Sequence, residues 1–249
     1  MTTDRFVGRR ALVTGGASGI GRATAALLAE QGARVAILDR AADELAVEKE
    51  IGAVAVEADV RDEAAVAGAV AKTAEALDGT IDMLVNAAGI YRVTPLDDVS
   101  VSEWEDVLDT NLRGTLIMSR AVMRATATDA VRAIVNVAST AAFVGDASEP
   151  AAHYNASKAG VVALTKQMAI EWAARGVRVN AVAPGVIDTP MLRMMDDPEA
   201  GRAYLDARVP LRRLGRPEEV AEVIAFLASD AAAYMTGTTV FVDGGVTAL

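Results

Sequence analysis

The stretch Arg10-Ala11-Leu12-Val13-Thr14, followed by Gly15-Gly16-Ala17-Ser18-Gly19-Ile20-Gly21 and an alanine-rich run over 22–31, permits few architectures. An apolar strand that opens into glycines and then a helix leaves backbone N–H groups bare at a helix N-terminus, with no Cβ atoms to keep a ligand away. Residues 33–39 read as the next strand and end in Asp39, 18 residues after Gly21. Strand, glycine loop, helix, strand and acid is the order of a dinucleotide-binding βαβ unit, with a pyrophosphate over the glycines and the acid on the adenosine ribose. A carboxylate at Asp39 repels a 2′-phosphate and so favours NAD over NADP; Arg40 beside it acts in the opposite sense.

The rest of the chain repeats the alternation. Residues 54–58 form a third strand signal running into Asp59-Val60, and 81–85 a fourth running into Asn86-Ala87-Ala88-Gly89, with an amphipathic helix between them. Strands separated by helical segments predict right-handed βαβ units and a parallel sheet. A long helix is expected over 102–127, with Ser102 as N-cap and Glu105 completing a capping box. Asn111, three residues before Gly114, is costly in a helix interior and reads either as a surface polar residue or as a local irregularity that presents a carbonyl or amide to a buried water. Strands at 134–139 and 177–183, the latter stopped by Pro184-Gly185, flank a helix that runs to about 175. Residues 188–214, polar and methionine-bearing, read as one or two short helices on a substrate lid. A helix over 217–228 and a strand over 239–242 close the chain at Asp243-Gly244-Gly245.

Composition bounds the chemistry. With 249 residues and 52% apolar content, 1–249 is expected to be a single domain with one large α/β core. The absence of a run of 18 uncharged apolar residues, and a start lacking a basic and an apolar segment, predict a cytoplasmic protein. Zero cysteines exclude thiol chemistry, and one histidine argues against a histidine zinc site or a Ser-His-Asp triad; no metal is expected. A net charge of −10 argues against nucleic acid and anionic membranes as partners.

Acid/base work therefore falls to Tyr, Lys, Asp or Glu. Tyr154 and Lys158 lie four apart at the start of a helix and share one face. A free tyrosine has a pKa of roughly 10, and a neighbouring cation is the simplest way to stabilise its phenolate. Ser139, 15 residues upstream at the end of a strand, is placed to donate to the oxygen that Tyr154 protonates.

Together, Thr14 to Gly21, Asn86 to Gly89, Asn111, Ser139, Tyr154 to Lys158, Pro184-Gly185 and Asp243 to Gly245 make the chain resemble the short-chain dehydrogenase/reductase family from Phe6 to Gly245. The resemblance implies a single-domain Rossmann fold, a seven-stranded parallel sheet doubly wound with helices on both faces. It implies Tyr154 as general acid/base, Lys158 lowering its pKa and holding the nicotinamide ribose, Ser139 orienting the substrate oxygen, and Asn111 anchoring a water in a relay through Lys158. It further implies a cofactor site of Gly15, Ser18, Gly19, Ile20 and Gly21, Asp39 at the ribose, Asp59 and Val60 at the adenine, Asn86 and Gly89, then Pro184, Gly185, Ile187 and Thr189 near the nicotinamide, and a homotetramer. The interval from Ser139 to Tyr154 is about two residues longer than is usual in such chains, with the extra length in the loop 146–150.

Ile90, Tyr91, Ala141, Ala142, Phe143 and Val186 are expected around a small or apolar alcohol or ketone. A 3-oxoacyl chain on an acyl carrier protein is the main alternative, weakened by the acidic surface, by Asp129 near the outer end of the long helix with Arg175 at the end of the next, and by Asp39. A non-catalytic NAD-binding sensor is the other; retention of Ser139, Tyr154, Lys158 and Asn111 opposes it. His153 is expected to face solvent, Trp104 and Trp172 to pack, and Met191, Met194 and Met195 to serve either the lid core or the substrate wall.

Overall fold

The computed structural model describes residues 4–40, 48–126, 132–192 and 194–248. Seven strands, β1 Arg10–Thr14, β2 Arg34–Asp39, β3 Val54–Glu57, β4 Met83–Asn86, β5 Ala133–Val137, β6 Arg178–Pro184 and β7 Thr239–Val242, pair in parallel in the order β3-β2-β1-β4-β5-β6-β7. The helices are α1 Gly19–Glu30, α2 Glu48–Ile51, α3 Glu63–Ala76, α4 Val101–Leu108, α5 Gly114–Ala125, α6 Ala152–Trp172, α7 Pro198–Arg208 and α8 Pro217–Ala228.

The central strands are apolar at consecutive positions, so each needs cover on both faces. Alternate side chains divide accordingly. Leu12, Leu38, Leu84 and Ile134 pack with Val66 and Val70 of α3, Met118 and Val122 of α5 and Met168 of α6. Their neighbours Val13, Ile37, Val85 and Val135 pack with Leu28 of α1 and Val220 and Ile224 of α8. The doubly wound α/β sandwich follows from this period of two. Successive strands are added outward in one direction from β1 to β3 and in the other from β4 to β7, and the loops at the carboxyl ends of β1 and β4, at this switch point, diverge into a crevice. Thr14 ties its two lips together, its hydroxyl accepting from Ala87 and Ala88 N–H at 3.1 Å each.

The long helix departs from expectation in two ways. Its cap is Ser100, whose hydroxyl accepts from Glu103 N–H at 3.1 Å, and not Ser102. It is also interrupted: a π turn over Asp109–Arg113 separates α4 from α5. The irregularity expected at Asn111 is thus a widened turn, and Gly114 closes it where a Cβ would lie 2.7 Å from Val60 Cγ2. The expected end of this helix and Asp129 lie outside the described residues. Trp172 packs against the core on the α3, α5 and α6 face.

Candidate active site

At the carboxyl ends of the strands lies a continuous cleft of about 530 Å³. Its wall includes Gly15, Ser18, Gly19, Ile20, Gly21, Asp39, Asp59, Val60, Gly89, Ser139, Tyr154, Lys158, Pro184, Gly185, Ile187 and Thr189, all expected from the sequence. Asn86 and Asn111 are not on that wall. Asn86 sits beneath it, with Nδ2 donating to Ser119 Oγ at 3.0 Å and Asn136 Oδ1 at 2.9 Å.

The glycine end has the shape of a phosphate cradle. Gly15 has φ +64 and a Cβ there would come within 2.9 Å of Ala88 Cα; at Gly21 it would lie 2.1 Å from Gly15 O. No side chain can be added at either position, so the backbone stays open to a ligand. Ser18, at the N-cap of α1, makes no side-chain capping bond, leaving its hydroxyl and the first N–H groups of the helix for an anion. Asp39 stands at the tip of β2, accepting from Ala17 N–H at 3.3 Å and Arg40 N–H at 2.8 Å. Asp59 is bound by Arg61 through Nε and Nη2, and that hydrogen bonding holds its carboxyl below the usual range. These residues fit a dinucleotide.

At the opposite end, Ser139 follows β5 and Tyr154 and Lys158 occupy the first turns of α6. Burial pushes the Tyr154 phenol above its ordinary value, and its hydrogen bond with Ser139 pulls the other way. The Lys158 ammonium lies 5.6 Å from the centre of the Tyr154 ring and donates to Val137 O at 2.8 Å. Burial brings Lys158 down to about 8. The lowering of Tyr154 expected from Lys158 is not what this site shows: loss of solvent around the phenol raises it, and the opposing pull comes from Ser139. Asn111 clamps the adjoining backbone: Oδ1 accepts from Ile90 N–H at 2.8 Å, while Nδ2 donates to Ile90 O and Ser157 Oγ at 3.0 Å each. A Cβ on Gly89 would meet Asn111 Oδ1 at 3.1 Å and Lys158 Nζ at 3.5 Å, so these two side chains converge at Gly89.

His153 corrects expectation: it is fully buried, not solvent-facing. Its Nδ1 accepts from Tyr154 N–H at 3.0 Å, which puts the proton on Nε2, bonded to Glu103 Oε1 at 3.1 Å. The same Glu103 oxygen takes the Thr94 hydroxyl at 2.6 Å, and Thr94 N–H donates to Pro150 O at 2.9 Å. Tyr91 packs edge-on against Tyr154 with ring centres 4.8 Å apart and donates to Glu149 at 2.6 Å. A collar of hydrogen bonds from α4 and two loops thus surrounds Tyr154.

The substrate end is less apolar than expected. Ile90, Tyr91, Ala141 and Val186 line it, with Val144, Met191 and Leu192, whereas Ala142 and Phe143 do not; Phe143 packs on Phe241. Met195 is off the wall, and the side chain of Met194 lies outside the described residues. The loop 146–150 and α7 add Asp146, Glu149, Tyr204 and Arg208, which sequence reasoning did not select. The extra loop length was the one available signal. Among the described residues no cluster of His, Asp or Glu could hold a metal, and no helix is long and apolar enough to cross a membrane.

A dinucleotide cradle joined to a Ser, Tyr and Lys cluster through one cleft defines a class of oxidoreductase, and the chain belongs to the short-chain dehydrogenase/reductase family, whose members act on hydroxyl and carbonyl groups with a nicotinamide cofactor. The family model described as "Enoyl-(Acyl carrier protein) reductase" matches residues 15–247. The chain is 46% identical to cis-4-hydroxycyclohexanecarboxylate dehydrogenase of Sinomonas cyclohexanicum, over 99% of both chains. It is 40% identical to the 3-oxoacyl-[acyl-carrier-protein] reductase FabG of Thermotoga maritima, over 97% of this chain and 99% of that one. Among solved structures, levodione reductase superposes with a TM-score of 0.91 at 36% identity, covering 98% of this chain and 99% of the other.

Proposed function

We propose that the chain is an NAD-dependent dehydrogenase of a small secondary alcohol, working as one domain over 1–249 in a cytoplasmic homotetramer. The observation that carries this is the convergence of Tyr154, Ser139 and Lys158 at one end of a cleft whose other end is the bare glycine loop and Asp39. In this reading Gly15, Ser18, Gly19, Ile20 and Gly21 hold the pyrophosphate, Asp39 accepts from the adenosine ribose, Asp59 and Val60 border the adenine, and Gly89, Pro184, Gly185, Ile187, Thr189, Tyr154 and Lys158 border the nicotinamide riboside. Asn86 supports that wall from beneath. When bound, the nicotinamide exchanges hydride with the carbinol carbon.

Tyr154 takes the hydroxyl proton, Ser139 donates to the same oxygen, and Lys158 supplies the positive field that opposes phenolate desolvation. Asn111 holds Gly89 and Ile90 in place and positions the groups that pass a proton outward from Lys158. The relative from Sinomonas cyclohexanicum points to a carbocyclic alcohol as the first substrate to try. Reduction of a carrier-bound 3-oxoacyl chain is the second reading, favoured by the 40% identity to FabG. Against it stand Asp39 and the net charge of −10, which disfavours an acidic carrier. Arg175 contributes little to a landing patch, since its Nη2 is tied to Met123 O at 2.9 Å.

Initial rates with NAD⁺ and NADP⁺ over aliphatic, cyclic, aryl and sugar alcohols, hydroxy acids and a 3-hydroxyacyl thioester test the proposal. NAD⁺ is expected to win by at least about tenfold on a free alcohol, and Asp39→Ala to bring the two cofactors within about threefold, because one desolvated charge contact is worth roughly 1–2 kcal/mol. Activity confined to NADPH and the thioester overturns the reading.

The collar predicts a further effect. His153→Leu removes the acceptor for Tyr154 N–H and is expected to lower kcat about tenfold, shifting the pH–rate profile, while KM for NAD⁺ changes far less. Unaltered kcat and pH profile would show that the collar does not position Tyr154.

A further inference from the structure

Three cationic side chains line the cleft among the described residues: Arg40, Lys158 and Arg208. Arg40 stands beside Asp39 at the adenosine end, and Lys158 is bonded to Val137 O behind Tyr154. Arg208, the last residue of α7, alone belongs to the substrate end. Resting on the alcohol dehydrogenase reading, we propose that Arg208 binds a carboxylate on the substrate, remote from the carbinol, so that the substrate is a hydroxy acid whose apolar body separates the two groups.

Donors and acceptors are unevenly distributed at this end of the cleft. Arg208 Nη2 reaches Asp146 at 3.4 Å, and the guanidinium also meets the Tyr204 hydroxyl. Its side chain remains 48% exposed, and a guanidinium carries five N–H donors in a planar fork. Most of that fork is left for a ligand. Asp146 does not depend on Arg208: it accepts from Ser148 N–H at 2.9 Å, the Ser148 hydroxyl at 2.6 Å and the Tyr204 hydroxyl at 2.7 Å. Those bonds fix the loop 146–150 against α7 and make Asp146 a support that aims the arginine. Glu149, the other carboxylate on this wall, accepts the Tyr91 hydroxyl at 2.6 Å.

Both acids therefore face hydroxyl donors from the protein, whereas the arginine offers donors to the cleft. A carboxylate meets such a fork with two parallel hydrogen bonds, which no neutral ester can match. Val144, Val186, Met191 and Leu192 provide the apolar surface for the body of the substrate.

The test is steady-state oxidation with NAD⁺ of 4-hydroxycyclohexanecarboxylate, its methyl ester, cyclohexanol and 4-aminocyclohexanol, by the unaltered enzyme, Arg208→Gln and Arg208→Lys. The unaltered enzyme is expected to prefer the acid over the ester, Arg208→Gln to lower that ratio of kcat/KM about thirtyfold, chiefly through KM, and Arg208→Lys to restore part of it. An acid-to-ester ratio unchanged by Arg208→Gln overturns the assignment, as does a preference for the amine, which would make Asp146 and Glu149 the recognition pair. If the unaltered enzyme oxidises cyclohexanol without preferring the acid, only the carboxylate assignment fails. If it turns over the 3-hydroxyacyl thioester and none of the ring alcohols, the alcohol dehydrogenase reading fails with it.

Discussion

Tyr154→Phe is expected to cut turnover by at least about a hundredfold while leaving NADH binding within about twofold, since positioned proton transfer accounts for roughly 10²–10⁴ in rate. The substitution is clean for a structural reason. The Tyr154 ring rests edge-on against Tyr91, a contact that phenylalanine keeps, so what is removed is the hydroxyl alone. Ser139 loses its partner across the cleft but retains the bond in which its hydroxyl accepts from Ala141 N–H at 3.1 Å, so the turn after β5 stays formed. Rates over a pH series, beside a fluorescence titration with NADH, separate chemistry from binding. Undiminished rates would remove Tyr154 from the mechanism.

Lys158→Met should lose nearly all activity and, at pH 7, gain stability. Burial lowers Lys158 to about 8 in the fold, against 10.5 for the free side chain. Between those values the unfolded chain binds the extra proton, so the native state becomes more stable as pH rises through the window, and the penalty for the buried ammonium is complete below it. At pH 7 the removed penalty is on the order of 1–3 kcal/mol, reduced by leaving Val137 O without its donor. Thermal melts of both proteins from pH 7 to 10.5 check this: the variant is expected to melt higher at pH 7, with the gap narrowing as pH rises. A gap independent of pH would mean that Lys158 carries no such penalty.

Much of this architecture is legible in the chain. The centres of strands 10–14 and 133–137, Ala11-Leu12-Val13 and Ala133-Ile134-Val135, are apolar at consecutive positions, which states directly that both faces are covered, and the glycine loop states which ends carry the cleft. Asn111 was legible as a fault in a helix because Asn and Gly are both poor interior residues. The misreadings share a cause. Ser100 and Ser102 are equally good caps by type, and the Glu103 side chain that would distinguish them bonds instead to Thr94 and His153. His153 reads as a loop residue until Glu103, 50 positions away, is packed beside it. Asp146 and Glu149 belong to a loop whose side-chain directions are set by Tyr204 and Tyr91, each 58 residues distant. Local pattern carries no information about such pairings.

The widened turn at Asp109–Arg113 also acts as a phase adjuster. Each residue of a regular α-helix advances the facing direction by about 100°, so winding the same residues without the bulge would rotate everything after it by roughly that angle. Met118, Val122 and Ser119, which now face the sheet and Asn86, would swing toward other partners, while Trp104 and Val107 upstream stayed where they are. The register of the helix under the sheet and the aim of Asn111 at Ile90 are thus one variable. Losing a single residue from this turn would let the helix close regularly with α5 in its present register, whereas closing the bulge with every residue kept would break core and active site together, although no side chain of either had been altered.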